Sequence, residues 1–192
     1  ATISRNFLME RLHPVLEQRD VEIIQRSAGL GELLAGLASH LLDVVLSNQP
    51  VLRDTASAFH THHLSSQKVS LVGPADRKRG RFRFPNDLEK HPLLLPSQMN
   101  ATRAAFDLIL ERHHLHPQIL AEVDDMATLR LLAAKGLGLA LVPPVVVQME
   151  LQNGLLKEWY RFDDLEEHFY AITVSTRFPS NLTALVLQKE TG

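Results

Sequence analysis

The chain has 192 residues, 45% of them hydrophobic, which suits one large domain or two small lobes with a real core. It contains no cysteine, which excludes disulfides and thiolate chemistry, and its net charge of −2 argues against nucleic-acid binding by this chain itself. No apolar run reaches membrane-helix length and nothing at the start resembles a signal peptide, so a cytoplasmic location is expected.

Ser4 is a candidate N-cap for a first helix whose apolar face carries Phe7, Leu8, Leu12, Val15 and Leu16; Pro14 is expected to shorten or kink it. Residues 21–25 alternate and read as a strand. Gly29 and Gly31 bracket a turn into a helix with Leu33, Leu34, Leu37 and Leu41 on one face. Residues 42–47 read as a buried parallel strand ended by Ser47, Asn48 and Pro50. Two shorter strands are predicted at 59–64 and 68–72. Gly73-Pro74 is a sharp break and the predicted crossing into a second lobe.

The βα alternation restarts at His91. A strand over 93–95 leads to a helix capped by Asn100 or Ser97, with Ala105, Phe106, Ile109 and Leu110 inside. The next strand is 119–123. The acidic pair Asp124-Asp125 caps a helix with Met126, Leu129, Leu132 and Ala133 on its apolar face; Gly136 ends it, and residues 137–142 form a short buried strand before Pro143 and Pro144 start a new helix. Gly154 ends that helix, 155–162 look extended, and 169–174 form a strand that returns to the first lobe. Ser180 or Asn181 caps a closing helix with Leu182, Leu185 and Val186 apolar. The fold class is therefore α/β, with residues 1–73 and 174–192 in the first lobe and 74–173 in the second.

In open α/β sheets ligands sit at the carboxyl ends of strands beside helix N-termini, where free N–H groups and the helix dipole favour small anions and carboxylates. Four segments meet that description: Thr2 and Ser4; Ser47 and Asn48; Ser97, Gln98, Asn100 and Thr102; and Asp124, Asp125 and Met126. The plainer role of Ser4, Ser97 and Asn100 is capping alone. The acidic pair can also hold a hard cation with nearby hydroxyl and amide oxygens, although capping is the simpler use.

Ten histidines are present. His60, His62 and His63 lie near a strand, on which His60 and His62 share a face, and His113, His114 and His116 end a helix; either group can take up zinc or nickel adventitiously, but no HExxH or Cys-His spacing occurs and no metal is assigned. Arg77, Lys78, Arg79, Arg81 and Arg83 form one basic cluster, read as a solvated loop in preference to a phosphate-binding patch. There is no G-x-S-x-G elbow, and Gly136 and Gly138 follow a helix and precede a strand, the wrong order for a dinucleotide loop. No catalytic residue and no cofactor is assigned.

The segment EVDDMATLRLLAAKGLGLALVPP (122–144) resembles the effector-binding domain of LysR-type transcriptional regulators, and so do LDVVLSNQP (42–50), HPLLLPSQMNATRAAFDLILE (91–111) and WYRFDDLEEHFYAITVSTRFPSNLTALVL (159–187). The loop texture, with Phe162-Asp163-Asp164 and the acidic cap, is similar to the branch that regulates sodium/proton antiporters. The resemblance implies two lobes with a cleft between them, of the type II periplasmic-binding-protein kind, with 97–102 as an inducer loop. It implies a small-molecule or ion effector, a homodimer or tetramer, and no membrane partner. DNA contact would come only through an N-terminal winged helix-turn-helix expected upstream of this chain. For the dimer, the helix carrying Phe7, Leu8 and Leu12 is expected to pair with the partner's helix carrying Phe106, Ile109 and Leu110. A solute-binding protein of the same fold, feeding a transporter, is the alternative; an enzyme on this fold is a third.

Overall fold

The computed structural model describes residues 3–51, 58–75, 82–175 and 180–188. The chain divides into two compact units, residues 1–66 with 168–192 and residues 67–167. The divisions fall inside two long strands, β2 (Phe59–Pro74) and β6 (Leu156–Val174), whereas the expected boundaries at 73/74 and 173/174 lie at the far ends of the same strands.

In the first unit, α1 (Arg5–Leu16) runs through Pro14 without stopping. A proline one turn from a helix end removes few hydrogen bonds. Phe7 stacks on Phe169 of β6 with ring centroids 4.1 Å apart, and the Arg11 guanidinium lies 4.9 Å over the Phe7 ring while its Nη1 donates to the Gln188 carbonyl at 2.6 Å. That carbonyl follows α6 (Asn181–Leu187), capped by Ser180, whose Oγ accepts from Leu182 N–H. Val186 is the buried residue of α6, while Leu182 is exposed. α2 (Leu30–Ala38) covers a second cluster built from Leu37, Val45 and Ile172, with Leu30, Leu33, Leu34 and Phe59 packed against it.

Four expectations change here. Residues 21–25 form no strand, and Ile24 is 71% exposed; alternation needs a neighbouring ladder, and none runs beside this segment among the described residues. Gly31 lies inside α2, and Leu41 lies beyond its end at 73% exposure. The strand expected at 42–47 is β1 (Val45–Ser47), and it pairs antiparallel with β6, Ser47 opposite Tyr170, not in a parallel ladder. The two strands expected at 59–64 and 68–72 are the single strand β2, because the polar stretch Ser65-Ser66-Gln67 contains neither glycine nor proline to interrupt it.

In the second unit the strand order is β6-β2-β5-β3-β4. Here β3 is Leu93–Pro96, β4 Ile119–Val123 and β5 Leu139–Val142; β3 is parallel to both β4 and β5, and β2 joins β5 antiparallel. α3 (Ala101–Arg112) places Phe106, Ile109 and Leu110 against Val69, Leu71, Leu93, Leu95, Leu141 and Phe162. α4 (Met126–Ala134) packs on β3 and β5. Gly136, at φ 75°, ends it, and the following Leu137 lies in the turn, outside β5. A Cβ at Gly138 would come within 2.5 Å of the Pro92 carbonyl oxygen, so only glycine lets β5 approach β3 there. Pro144 opens a short 3-10 turn, and α5 (Gln148–Gln152) ends at Gly154, φ 69°.

β6 is also continuous where two extended pieces were expected. Its charged middle, Asp163 to His168, reads as a loop, yet Phe162, Leu165, Glu167 and Phe169 are all buried. The inward positions step by three between Phe162 and Leu165 and by two thereafter, which hides the strand period. Among the described residues, no helix is long and apolar enough to cross a membrane.

Candidate functional site

In the second unit, the carboxyl ends of β3 and β4 lie side by side, Pro96 opposite Val123. The loops that follow meet there: Ser97 N–H donates to the Val123 carbonyl at 3.2 Å, and Gln98 N–H to Glu122 Oε1 at 3.4 Å. The structure thus brings Ser97, Gln98, Asn100 and Thr102 to the same sheet end as Asp124, Asp125 and Met126. Asn100 is the cap of α3, its Oδ1 accepting Thr102 N–H at 2.8 Å, and Ser97 supplies the carbonyl that closes the preceding turn. Asp125 is the cap of α4: Oδ1 accepts Ala127 N–H at 3.3 Å, and Oδ2 accepts Thr128 N–H at 3.0 Å and its hydroxyl at 2.8 Å. Asp124 is exposed and takes no part in the cap, while Thr102 and Met126 are buried.

Beneath this loop lies Arg103, 4% exposed, which sequence reasoning passed over. Its Nε donates to Asp107 at 2.8 Å, and its Nη1 to Glu122 at 2.9 Å and to the Pro96 carbonyl at 3.2 Å. Burial alone would lower its pKa, but the Asp107 and Glu122 carboxylates outweigh that and raise it. The signal available in the sequence was the i, i+4 pair Arg103–Asp107 beside a candidate ligand loop. Arg103 ties β3, α3 and β4 together and fixes where the loop stands.

In the first unit, Ser4 occupies the N-cap position of α1 without a side-chain capping bond. It is 3% exposed, and its Oγ has no hydrogen-bond partner among the described residues. Ser47, fully buried at the end of β1, accepts Gln49 N–H at 3.0 Å, with Asn48 next in the chain. Tyr170 stands opposite Ser47, and the ring of His63 meets Tyr170 edge-on at 5.4 Å. Tyr170 was not singled out from the sequence, and His63 only as one of a histidine group, since their proximity to Ser47 depends on the strand order β1-β6-β2. Thr2 lies outside the described residues, as does the basic cluster except Arg83, which is solvent-facing and 3.9 Å from Asp87.

A depression elsewhere in the second unit is lined by Phe82, Arg83, Phe84, Asn86, Glu158, Trp159, Tyr160 and Arg161. It includes none of the residues expected to bind a ligand, and of the basic cluster only Arg83. Among the described residues, no three histidine, aspartate or glutamate side chains are placed to hold a metal together.

The family model described as LysR substrate binding domain matches residues 1–188. Among solved structures, the apo regulatory domain of HypT from Salmonella typhimurium is similar at TM-score 0.70 and 20% identity, covering 93% of this chain and 87% of that one. The Synechocystis PCC6803 CcmR regulatory domain, solved in complex with 2-PG, is similar at TM-score 0.70 and 12% identity over 96% of this chain and 92% of that one. Vibrio fischeri DarR, solved in complex with DNA, is similar at TM-score 0.73 and 16% identity, with 98% of this chain and 67% of that chain covered. A search of curated protein sequences gave no match. The match over nearly the whole chain shows that it belongs to the LysR substrate-binding domain family.

Proposed function

We propose that this chain is the effector-sensing and oligomerisation part of a LysR-type transcriptional regulator, working in the cytoplasm by binding and not by catalysis. The observation that carries the reading is Ser4. A hydroxyl buried without a partner at the start of a twelve-residue helix is destabilising by itself, and it is rare unless something else completes it. A small carboxylate or similar anion supplies what is missing: an acceptor for the hydroxyl and a negative charge for the helix terminus. In the second unit, the loop from Ser97 to Thr102 is the matching candidate for an anion, and the exposed Asp124 for a cation. An effector acts on transcription only if it binds one conformation better than another. DNA contact is assigned to a domain outside this chain, in keeping with the net charge of −2.

Assembly as a homodimer or tetramer is part of the same reading, with a change in the residues involved. Phe7, Phe106, Ile109 and Leu110 are buried in their own units and cannot face a partner. Met9 and Leu16 of α1, Leu108 of α3, and Ile119 and Leu120 of the edge strand β4 remain exposed and are the better candidates. The narrower relationship to antiporter regulators rests on loop texture alone.

A thermal-shift screen of the chain with small carboxylates, phosphate and sodium or potassium salts tests this. At least one carboxylate should raise the melting temperature in a concentration-dependent way, and a crystal of that complex should place it against Ser4 or the 97–102 loop. A ligand seated only on the outer face of either unit would count against the site, and a sodium-specific shift would support the narrower branch.

A further inference from the structure

The first unit holds a pair of imidazoles that converge on one point. His63 of β2 and His168 of β6 have ring centroids 5.7 Å apart. His63 Nε2 lies 2.9 Å from Ser66 Oγ, and His168 Nδ1 lies 2.8 Å from the same oxygen. All three residues are exposed. Tyr170 closes one side, its ring 5.4 Å from His63 and 6.3 Å from His168. Two ring nitrogens from neighbouring strands thus face a position now held by a serine hydroxyl. A divalent metal binds imidazole nitrogen at about 2.0–2.1 Å. Moving each ring inward by less than an ångström, through side-chain torsions of exposed residues, brings both nitrogens into that range.

We propose that His63 and His168 form a site for one borderline divalent transition-metal ion, of the Zn2+, Ni2+ or Cu2+ kind, with water completing the coordination. The donor chemistry selects the class: two imidazoles, with no carboxylate placed to join them among the described residues, suit these ions and not Mg2+ or Ca2+, which take oxygen ligands. The pairing is not readable from local sequence, where His60, His62 and His63 appear as one cluster. Strand alternation separates them, and each of the other two has its own hydroxyl: His60 Nε2 lies 2.6 Å from Ser175 Oγ, and His62 Nε2 lies 3.0 Å from Thr173 Oγ1. The ion would join β2 to β6 just where both strands pass from the first unit to the second. It stands independently of the effector reading.

Untagged chain is titrated with NiCl2, ZnCl2 and CuCl2 by calorimetry, while the histidine ring protons are followed by NMR during the Ni2+ titration. One ion per chain is expected, with Cu2+ bound more tightly than Ni2+ or Zn2+. His63→Ala and His168→Ala should each weaken binding by about tenfold or more, whereas His62→Ala and His114→Ala should leave it unchanged. Because both ligands are exposed, the variants should melt like the parent protein. In the parent, Ni2+ should broaden the His63 and His168 resonances first. Broadening that begins at His113, His114 or His116, or affinity unchanged in both the His63 and His168 variants, would overturn the site.

Discussion

In the second unit Asn100 and Asp125 close the amino ends of α3 and α4 with their own side chains, whereas in the first unit Ser4 stands at the same position of α1 with its hydroxyl buried and without a partner among the described residues. The cores differ in the same sense. The second unit has a broad apolar layer between α3 and its sheet, running from Val69 and Leu71 to Phe106 and Phe162. In the first unit, α2 covers a smaller cluster of Leu37, Val45 and Ile172, and α1 buries Arg11 beside the stacked Phe7 and Phe169. At the helix starts the two units differ: in the second, Asn100 and Asp125 cap α3 and α4 with their own side chains, while in the first, Ser4 makes no side-chain cap to α1. That contrast separates cap residues that complete a fold from one that the proposed function assigns to a ligand.

The largest expected effect lies in the second unit. Phe106 is fully buried and meets the Phe162 ring edge-on at 5.6 Å. Phe106→Ala should lower unfolding stability by about 3–5 kcal/mol in urea denaturation. Leu37→Ala in the first unit should fall nearer the low end for such a change, about 2 kcal/mol, because its half-buried neighbours Leu30, Leu33 and Leu34 can settle into the space. A greater loss from Leu37→Ala than from Phe106→Ala would break the comparison of the two cores.

The same contrast explains what was legible in the sequence. Between His91 and Gly154 the elements follow the predicted order, because each boundary is marked by a local device: the Asn100 and Asp125 caps, Gly136 and Gly154 at positive φ, and Pro144 at the start of a turn. Local chemistry is visible in a single sequence. The long strands β2 and β6 were not legible, because a polar middle in a strand looks like a loop until its neighbours are known. Residues 21–25 failed for the converse reason: the alternation is present but no described strand pairs with it. At the candidate site, the loops at 97–102 and 124–126 were readable from their caps. Arg103, and Tyr170 beside Ser47, depend on contacts between distant segments and were not.

Removing two cap residues should move stability in opposite directions. Asp125→Ala takes away the acceptor for Ala127 N–H and Thr128 N–H, and should lower stability by about 1 kcal/mol. Ser4→Ala removes a buried hydroxyl that has no partner among the described residues, and should leave stability unchanged or raise it by up to about 1 kcal/mol. The same variant should weaken binding of any carboxylate found in the thermal-shift screen. If Ser4→Ala destabilises the domain as Asp125→Ala does, Ser4 is an ordinary cap and the two units do not differ in this respect.

The smallest effect is on pH dependence, and it again divides the units. In the first unit, burial and then repulsion from His60 lower the pKa of His62 below its ordinary value of 6.5. The unfolded chain therefore takes up the proton more readily, so the stability linked to His62 is complete above pH 6.5 and declines as pH falls through that value toward the lowered one. In the second unit, burial would raise the pKa of Glu158, but hydrogen bonds from Arg161 at 2.5 Å and Ser70 at 2.6 Å outweigh it and bring the value below 4.5. Its contribution is present above pH 4.5 and is lost as pH falls through the lowered value. Acid should therefore act on the first unit before the second. Both side chains keep contact with solvent, so the slopes should be shallow and the Glu158 term should weaken further in salt. Urea titrations across the acid range should show His62→Gln flattening the upper part of the curve and Glu158→Gln the lower part. Identical curves for the His62 variant and the parent would remove the first unit from this ordering.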